Sequence, residues 1–194
     1  MAVPLEDICW QRFINGEKDA FRELYDQYVD RLFSFGCRYC RDEEVVKDCI
    51  HDLFIDLHHY RTRLSTDVNV GAYLYRSLQR KIAAYAAKRQ TQLKAGYHST
   101  DDAFVMEWDV ERILVRHEED AELFIRLAHE LNSLTQRQQE ALYLRFASEM
   151  SYEEVADIMG ISVASCRTVV YRAIKDLRKK LEGVSVSLLF LLVK

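Results

Sequence analysis

The sequence predicts an all-α protein built from two small helical domains, and three features carry that expectation. Apolar residues recur at helical spacing along most of the 194 residues rather than in alternation. One Pro and six Gly are too few for the turns of a β-sandwich or barrel. A stretch of weak periodicity, residues 91 to 115, separates two helical blocks, and a chain of this length holds two modest cores. The expected organisation is a domain at 1 to 90, a linker at 91 to 115, a domain at 116 to 183 and a hydrophobic tail at 184 to 194.

The first expected helix runs from Phe13 to about Phe35, where Phe21, Leu24, Tyr25, Tyr28, Leu32 and Phe35 share one stripe. A second lies in "RDEEVVKDCIHDLFIDLHHY". Asp42, Glu43 and Glu44 suit the positive end of its dipole, and Val46, Ile50, Leu53, Phe54 and Leu57 form its apolar face. A third, "AYLYRSLQRKIAAYAAKRQ", runs from Ala72 to about Gln90. Helical patterning resumes at "HEEDAELFIRLAHELNSL", after which Thr135 can cap a helix over "QRQQEALYLRFASEM".

The stretch "SYEEVADIMGISVASCRTVVYRAIKDLRKKL" closes the second domain. Ser151 and Glu154 have capping-box spacing, and Val155, Ile158 and Met159 give the helix they start a buried side. Gly160 ends that helix, since a left-handed residue there costs Gly little. Ser162 can cap the next, whose apolar stripe is Cys166, Val169, Val170, Ala173, Ile174, Leu177 and Leu181. Its other side carries Arg167, Thr168, Tyr171, Arg172, Lys175, Arg178 and Lys179. Two short helices about a tight turn, the second showing Arg, Thr and Tyr, have the form of a helix-turn-helix that enters a DNA major groove. Taken by itself, the segment also fits an ordinary helical hairpin with a solvated charged face.

Charge is distributed accordingly. The net charge is -4, from 27 basic and 31 acidic residues. Residues 68 to 100 hold six basic residues and no acid, and residues 161 to 181 hold six and one acid, Asp176, so 15 basic and 30 acidic residues remain elsewhere. Two basic islands on an acidic body point to two nucleic-acid surfaces.

Cysteine usage and hydropathy bound the compartment. Five Cys is an odd number, and no charged n-region with an apolar h-region opens the chain, so a secreted disulfide scaffold is not expected. The longest apolar run, "LLFLLV", is far short of the roughly 20 residues that cross a bilayer. The expectation is a cytoplasmic protein with no membrane insertion.

With these residues in view, a family resemblance is plain. "LNSLTQRQQEALYLRF" followed by "MSYEEVADIMGISVASCRTVVYRAIKDLRKKL" is similar to region 4 of the extracytoplasmic-function (ECF) sigma factors of the sigma-70 family. "AFRELYDQYVDRLFSFGCRYCRDEEVVKDCIHDLFIDL" and "GAYLYRSLQRKIAAYAAKR" resemble region 2, in the family's order and spacing. The resemblance implies a transcription-initiation subunit that binds core RNA polymerase, directs it to promoters and helps melt them, without enzymatic activity and without a cofactor. It implies minus-35 contacts from Arg167, Thr168, Tyr171, Arg172 and Lys175, with Arg178 beside them on phosphate. For the minus-10 element it points to Tyr73, Arg76, Arg80, Lys81, Lys88 and Arg89, in a helix that also carries Tyr75 and Tyr85. Aromatic and cationic side chains of this kind suit an unstacked strand, though each tyrosine has ordinary helix packing as its alternative.

The same resemblance assigns the polymerase contact, on a coiled coil of the β′ subunit, to Asp48, His51, Asp52 and Phe54 of "DCIHDLF". It also implies an anti-sigma factor that hides the active faces; the hydrophobic tail at 184 to 194 is expected either to pack on region 4 as a last helical turn or to form a patch that such a partner covers. The chain departs from the family pattern at Tyr73 (usually Trp), Arg80 (usually Asn), Ala84 (usually Asp), His51 (usually Gln) and Val169 (commonly basic).

Other chemistry finds less support. Cys37 and Cys40 of "CRYC" have zinc-ligand spacing with Cys49 and His51 nearby, but four converging ligands are not evident, so no metal is expected. His51, Asp52, Asp56, His58 and His59 lack the Gly-rich loop or nucleophile context of an enzyme. Two rivals stand beside the sigma reading: a LuxR-type helix-turn-helix regulator that acts without replacing sigma, and an adaptor that binds only protein.

Overall fold

In the computed structural model the described residues are 5–92 and 121–181; the expected linker beyond residue 92 and the expected tail lie outside them. The chain divides into two compact units, Met1–Ala103 and Phe104–Lys194. All regular structure among the described residues is helical, as the apolar spacing predicts.

The first unit contains α1 (Leu5–Ile14), α2 (Lys18–Gly36), α3 (Glu43–Tyr60) with a 3-10 turn at Arg61–Arg63, and α4 (Val70–Gln92). The single helix expected from Phe13 is therefore two. Gly16 has φ +95°, and the chain reverses between Ile14 and Lys18 at this left-handed residue. Across the corner the Arg12 guanidinium meets Glu17 and Glu23, each at 2.8 Å. α1 was not expected at all, yet it supplies Trp10, only 1% exposed, whose Nε1 donates to the Ser65 carbonyl at 3.0 Å.

Leu24, Tyr28, Leu32 and Phe35 of α2 meet the expected face of α3 and Leu74, Leu78 and Ile82 of α4 in one core. Burial of each such side chain contributes about 1.5–3 kcal/mol, and packing of this kind, more than helix propensity, holds short helices in place. α2 and α3 come so close that a Cβ on Gly36 would lie 2.5 Å from Val46 Cγ1. α3 starts where Asp42 accepts the Val45 N–H at 3.4 Å. α4 starts two residues before the expected Ala72, because Asn69 Oδ1 accepts the Ala72 N–H at 2.8 Å and so brings Val70 into the first turn.

The second unit contains α5 (Ala121–Asn132), α6 (Gln136–Leu142), a π-helical turn at Tyr143–Ala147, α7 (Tyr152–Met159) and α8 (Val163–Lys180). The helix expected to run from Gln136 to Met150 instead ends at Leu142 and loosens into the π turn, with Glu149 at φ 55° just beyond it. Thr135 caps α6 through a complete capping box with Gln138. The one buried polar side chain of the described core, Gln139, donates its amide to the carbonyls of Leu131 and Asn132, at 3.0 and 3.3 Å, and so satisfies the C-terminus of α5. α5 is also tied to α8, where Lys180 Nζ reaches Glu130 at 2.8 Å and Ser133 Oγ at 2.6 Å. The Lys180 ammonium holds the Glu130 carboxyl below its ordinary range.

Candidate nucleic-acid interface

α7, its turn and α8 are built by the local chemistry that the sequence indicates. Ser151 Oγ accepts the Glu154 N–H at 3.2 Å while Glu154 Oε2 accepts the Ser151 N–H at 2.6 Å. Gly160 sits at φ 65°, ψ 36°, and the Ile161 N–H returns to the Ala156 carbonyl at 3.0 Å, closing the helix in a Schellman turn. Ser162 then accepts the Ser165 N–H at 3.1 Å and starts α8.

Cys166, Val170, Ala173 and Leu177 bury one side of α8. At about 100° per residue, Arg167, Thr168, Tyr171, Arg172, Lys175, Arg178 and Lys179 then fall within an arc of about 140° on the other side, and all are exposed. Tyr171 is 66% exposed, the most of any large hydrophobic side chain described. Val169 lies half-buried at the margin rather than on the arc. Thr168 Oγ1 donates to its own helix, at Ala164 O (2.9 Å), and Arg167 Nη2 lies 3.5 Å from Glu153 Oε1 and over the Tyr152 ring at 5.5 Å. The result is a cationic, polar helix surface of the width a major groove admits.

The basic helix α4 divides along its length. Its first half is core: Leu74, Tyr75 and Leu78 are buried, and Tyr75 packs edge-on against Phe35 at 4.8 Å, so its ring is committed to packing. Tyr73 is half-buried, 5.8 Å from Trp10. From Ala83 to Arg89 no side chain is buried, and Tyr85, Lys88 and Arg89 are exposed, as is Arg80 one turn earlier. Arg76 and Lys81 are half-buried. Lys81 Nζ is 2.6 Å from Asp56 of α3, an ion pair that local spacing does not predict because 25 residues separate the partners.

On α3, Asp48, His51 and Asp52 are exposed on one face. Phe54, expected with them at the polymerase contact, is only 3% exposed, with Tyr25 at 4.9 Å and Phe21 at 6.0 Å from its ring. It lies beneath that face and braces it, because its position is turned away from Asp48 and Asp52 toward α2. The exposed apolar residue on the face is Ile55, 51% exposed, one turn on from His51 and Asp52. Ile55 follows the acidic "DCIHDLF" run directly, and helical spacing alone places it beside His51 and Asp52.

The cysteines remain free thiols, and among the described residues no three His, Cys, Asp or Glu side chains converge as metal ligands would. Burial, with Glu23 alongside, pushes the Cys9 thiol up to about 11, and burial likewise raises Cys37, Cys49 and Cys166. Such thiols are poor nucleophiles at neutral pH. Among the described residues, no helix is long and apolar enough to cross a membrane.

Comparison with known proteins agrees with this geometry. Residues 24–92 match the family model Sigma-70 region 2 and residues 124–177 match Sigma-70, region 4. The ECF RNA polymerase sigma factor BldN of Streptomyces coelicolor is 26% identical over 167 residues, which span 86% of this chain and 62% of BldN. RNA polymerase sigma factor YlaC of Bacillus subtilis is 24% identical over 84% of this chain and 93% of its own length, and CarQ of Myxococcus xanthus 26% over 88% and 94%.

Two solved structures share the fold. CnrH, in complex with the cytosolic domain of CnrY, has a TM-score of 0.58 at 22% identity, covering 93% of this chain and 99% of that one. The sigma factor RpoE, in complex with the anti-sigma factor NepR from Bartonella quintana, has 0.56 at 18%, covering 87% and 100%. With its two halves matched in order by regions 2 and 4 of one family, the chain belongs to the sigma-70 family of RNA polymerase sigma factors, in its extracytoplasmic-function group.

Proposed function

We propose that this chain is an alternative sigma factor that docks on core RNA polymerase, recognises a minus-35 element with α8 and captures an opening minus-10 element with α4. The observation that carries the reading is the exposed arc of α8, where Arg167, Thr168, Tyr171, Arg172 and Lys175 stand together behind a capped, Gly160-closed turn. Arg side chains there can take guanine bidentately while Lys175 and Arg178 meet phosphate. On α4, Arg80, Tyr85, Lys88 and Arg89 offer cations and an aromatic face to a single strand, with Tyr73, Arg76 and Lys81 closer to the core. On α3, Asp48, His51 and Asp52 would meet the β′ coiled coil, with Phe54 holding the helix from below.

An anti-sigma partner fits the same surfaces, since a basic helix and an acidic helix would both have to be covered to silence the protein. Two proteins of similar fold are named in complexes, one of them with an anti-sigma factor.

The test is transcription by core polymerase stripped of every sigma and supplied with the purified chain. Promoter-specific transcripts support the reading. A protein that binds duplex operator DNA alone and never programs the core enzyme would instead be a LuxR-type regulator, and one that does neither would be a protein adaptor.

A further inference from the structure

Tyr152, at the first position of α7, lies outside the recognition helix, yet two arginines lie against its ring. Arg167 of α8 stands 5.5 Å from the ring centroid and Arg145 of the π turn 5.1 Å. Arg145 is itself fixed, because its Nη1 donates to the Met150 carbonyl at 2.8 Å. Arg145 also lies 5.9 Å over the Phe146 ring. The π turn, the start of α7 and the start of α8 are thus joined through one half-buried aromatic ring.

Arg167 needs such a support. Its side chain is 61% exposed, and its one carboxylate partner among the described residues, Glu153, is 3.5 Å away and 64% exposed itself. A solvated ion pair of that length holds a long side chain weakly. An arginine left to solvent keeps many rotamers, and ordering it on DNA then subtracts from the free energy of the contact. A guanidinium lying against an aromatic face is restricted before binding and keeps the N–H donors at its edge available to a base.

We propose that Tyr152 is a positioning residue for promoter recognition: the Arg145–Tyr152 pair holds the Arg167 guanidinium ready to read one base of the upstream element. This rests on the assignment of α8 as the minus-35 reader. The π turn enters the same arrangement, since it carries Arg145, which reaches both Met150 and Tyr152.

The experiment uses core polymerase loaded with the full chain and a promoter library randomised across the upstream element, read out as base preference at each position and as total binding. Arg167→Ala should flatten the preference at one position by roughly tenfold. Tyr152→Leu keeps the bulk but removes the π face; it should flatten the same position several-fold and leave the other positions as they were. Tyr152→Phe should preserve the wild-type profile, because the ring and not the hydroxyl is required. Thermal melting accompanies each variant, and if Tyr152→Leu does not fold, Arg145→Lys, which keeps the charge and loses the planar contact, should flatten that position instead.

Uniformly weaker binding by the Tyr152→Leu protein with an unchanged profile would overturn the proposal, as would a Tyr152→Phe protein that behaves like it. If Arg167→Ala alters no base preference while Arg172→Ala does, Arg167 is not a reader and this inference falls alone; if neither alters it, the assignment of α8 as reader fails and this inference with it. If Arg167→Ala has its effect and the Tyr152 variants have none, only the positioning role is lost.

Discussion

At the scale of single residues, two positions show opposite uses of the same chemistry. Arg172 lies on the exposed arc of α8, and no ion pair to it is found among the described residues, so its side chain is available to DNA. Arg172→Ala should weaken recognition of a matched minus-35 element by about 1–3 kcal/mol, the size of a lost bidentate base contact, as measured by transcription from promoters with intact and altered upstream elements. Gly36 matters for what it lacks. In Gly36→Ala the added methyl meets Val46 Cγ1, a buried branched side chain with little room to turn. Overpacking costs about 1–3 kcal/mol, against less than about 1 kcal/mol gained in helix propensity, so the variant should be less stable by denaturant midpoint. That Gly was not legible in the sequence as a packing residue, because the partner that forbids a Cβ is ten residues away on another helix.

At the scale of elements, the turn between α7 and α8 was legible because its determinants are local. Ser151, Glu154, Gly160 and Ser162 each act within a few residues, and each does in the structure what its spacing indicates. Gly160 contrasts with Gly36: nothing lies within 4 Å of where its Cβ would stand, so Gly160→Ala meets only the left-handed backbone, at φ 65°. Its cost should be about 1 kcal/mol, visible as a small fall in the melting temperature of the second unit with promoter preference retained. What escaped sequence reasoning depended on distant partners or on breaks in period. The chain turns from α1 into α2 at Gly16, α1 is held on α2 by Arg12–Glu23, and Trp10 finds its acceptor at Ser65. The π turn at Tyr143–Ala147 continues an apolar helical pattern that gives no sign of a change in hydrogen bonding. α3 invites a separate test of the docking face. Asp48 is exposed and its side chain makes no ion pair or hydrogen bond among the described residues, so Asp48→Lys should abolish binding to core polymerase while the circular dichroism spectrum and melting temperature stay unchanged. Retained affinity would remove Asp48 from that face.

At the scale of the whole molecule, the charge pattern is the feature that connects fold to function. A net charge of -4 would ordinarily speak against DNA binding, but α4 and α8, one helix in each unit, carry cations with almost no acid among them, while α3 exposes acids. That division was visible in the sequence by counting charges in blocks. Which cations and tyrosines of α4 stand clear was not: Lys81 is held by Asp56 and Tyr75 is spent in the core, whereas Arg80, Tyr85, Lys88 and Arg89 are exposed. In the proposed function two DNA elements therefore fall to two separate helices, and footprinting of a reconstituted holoenzyme on its promoter tests that division most directly. Protection should appear at both minus-35 and minus-10 and only when core polymerase is present. Arg172→Ala should lose the upstream protection, and a combined Arg80→Ala, Lys88→Ala and Arg89→Ala variant should lose downstream strand opening while the upstream protection persists. A single protected block formed by the chain without polymerase, or loss of both elements together from either set of substitutions, would contradict it.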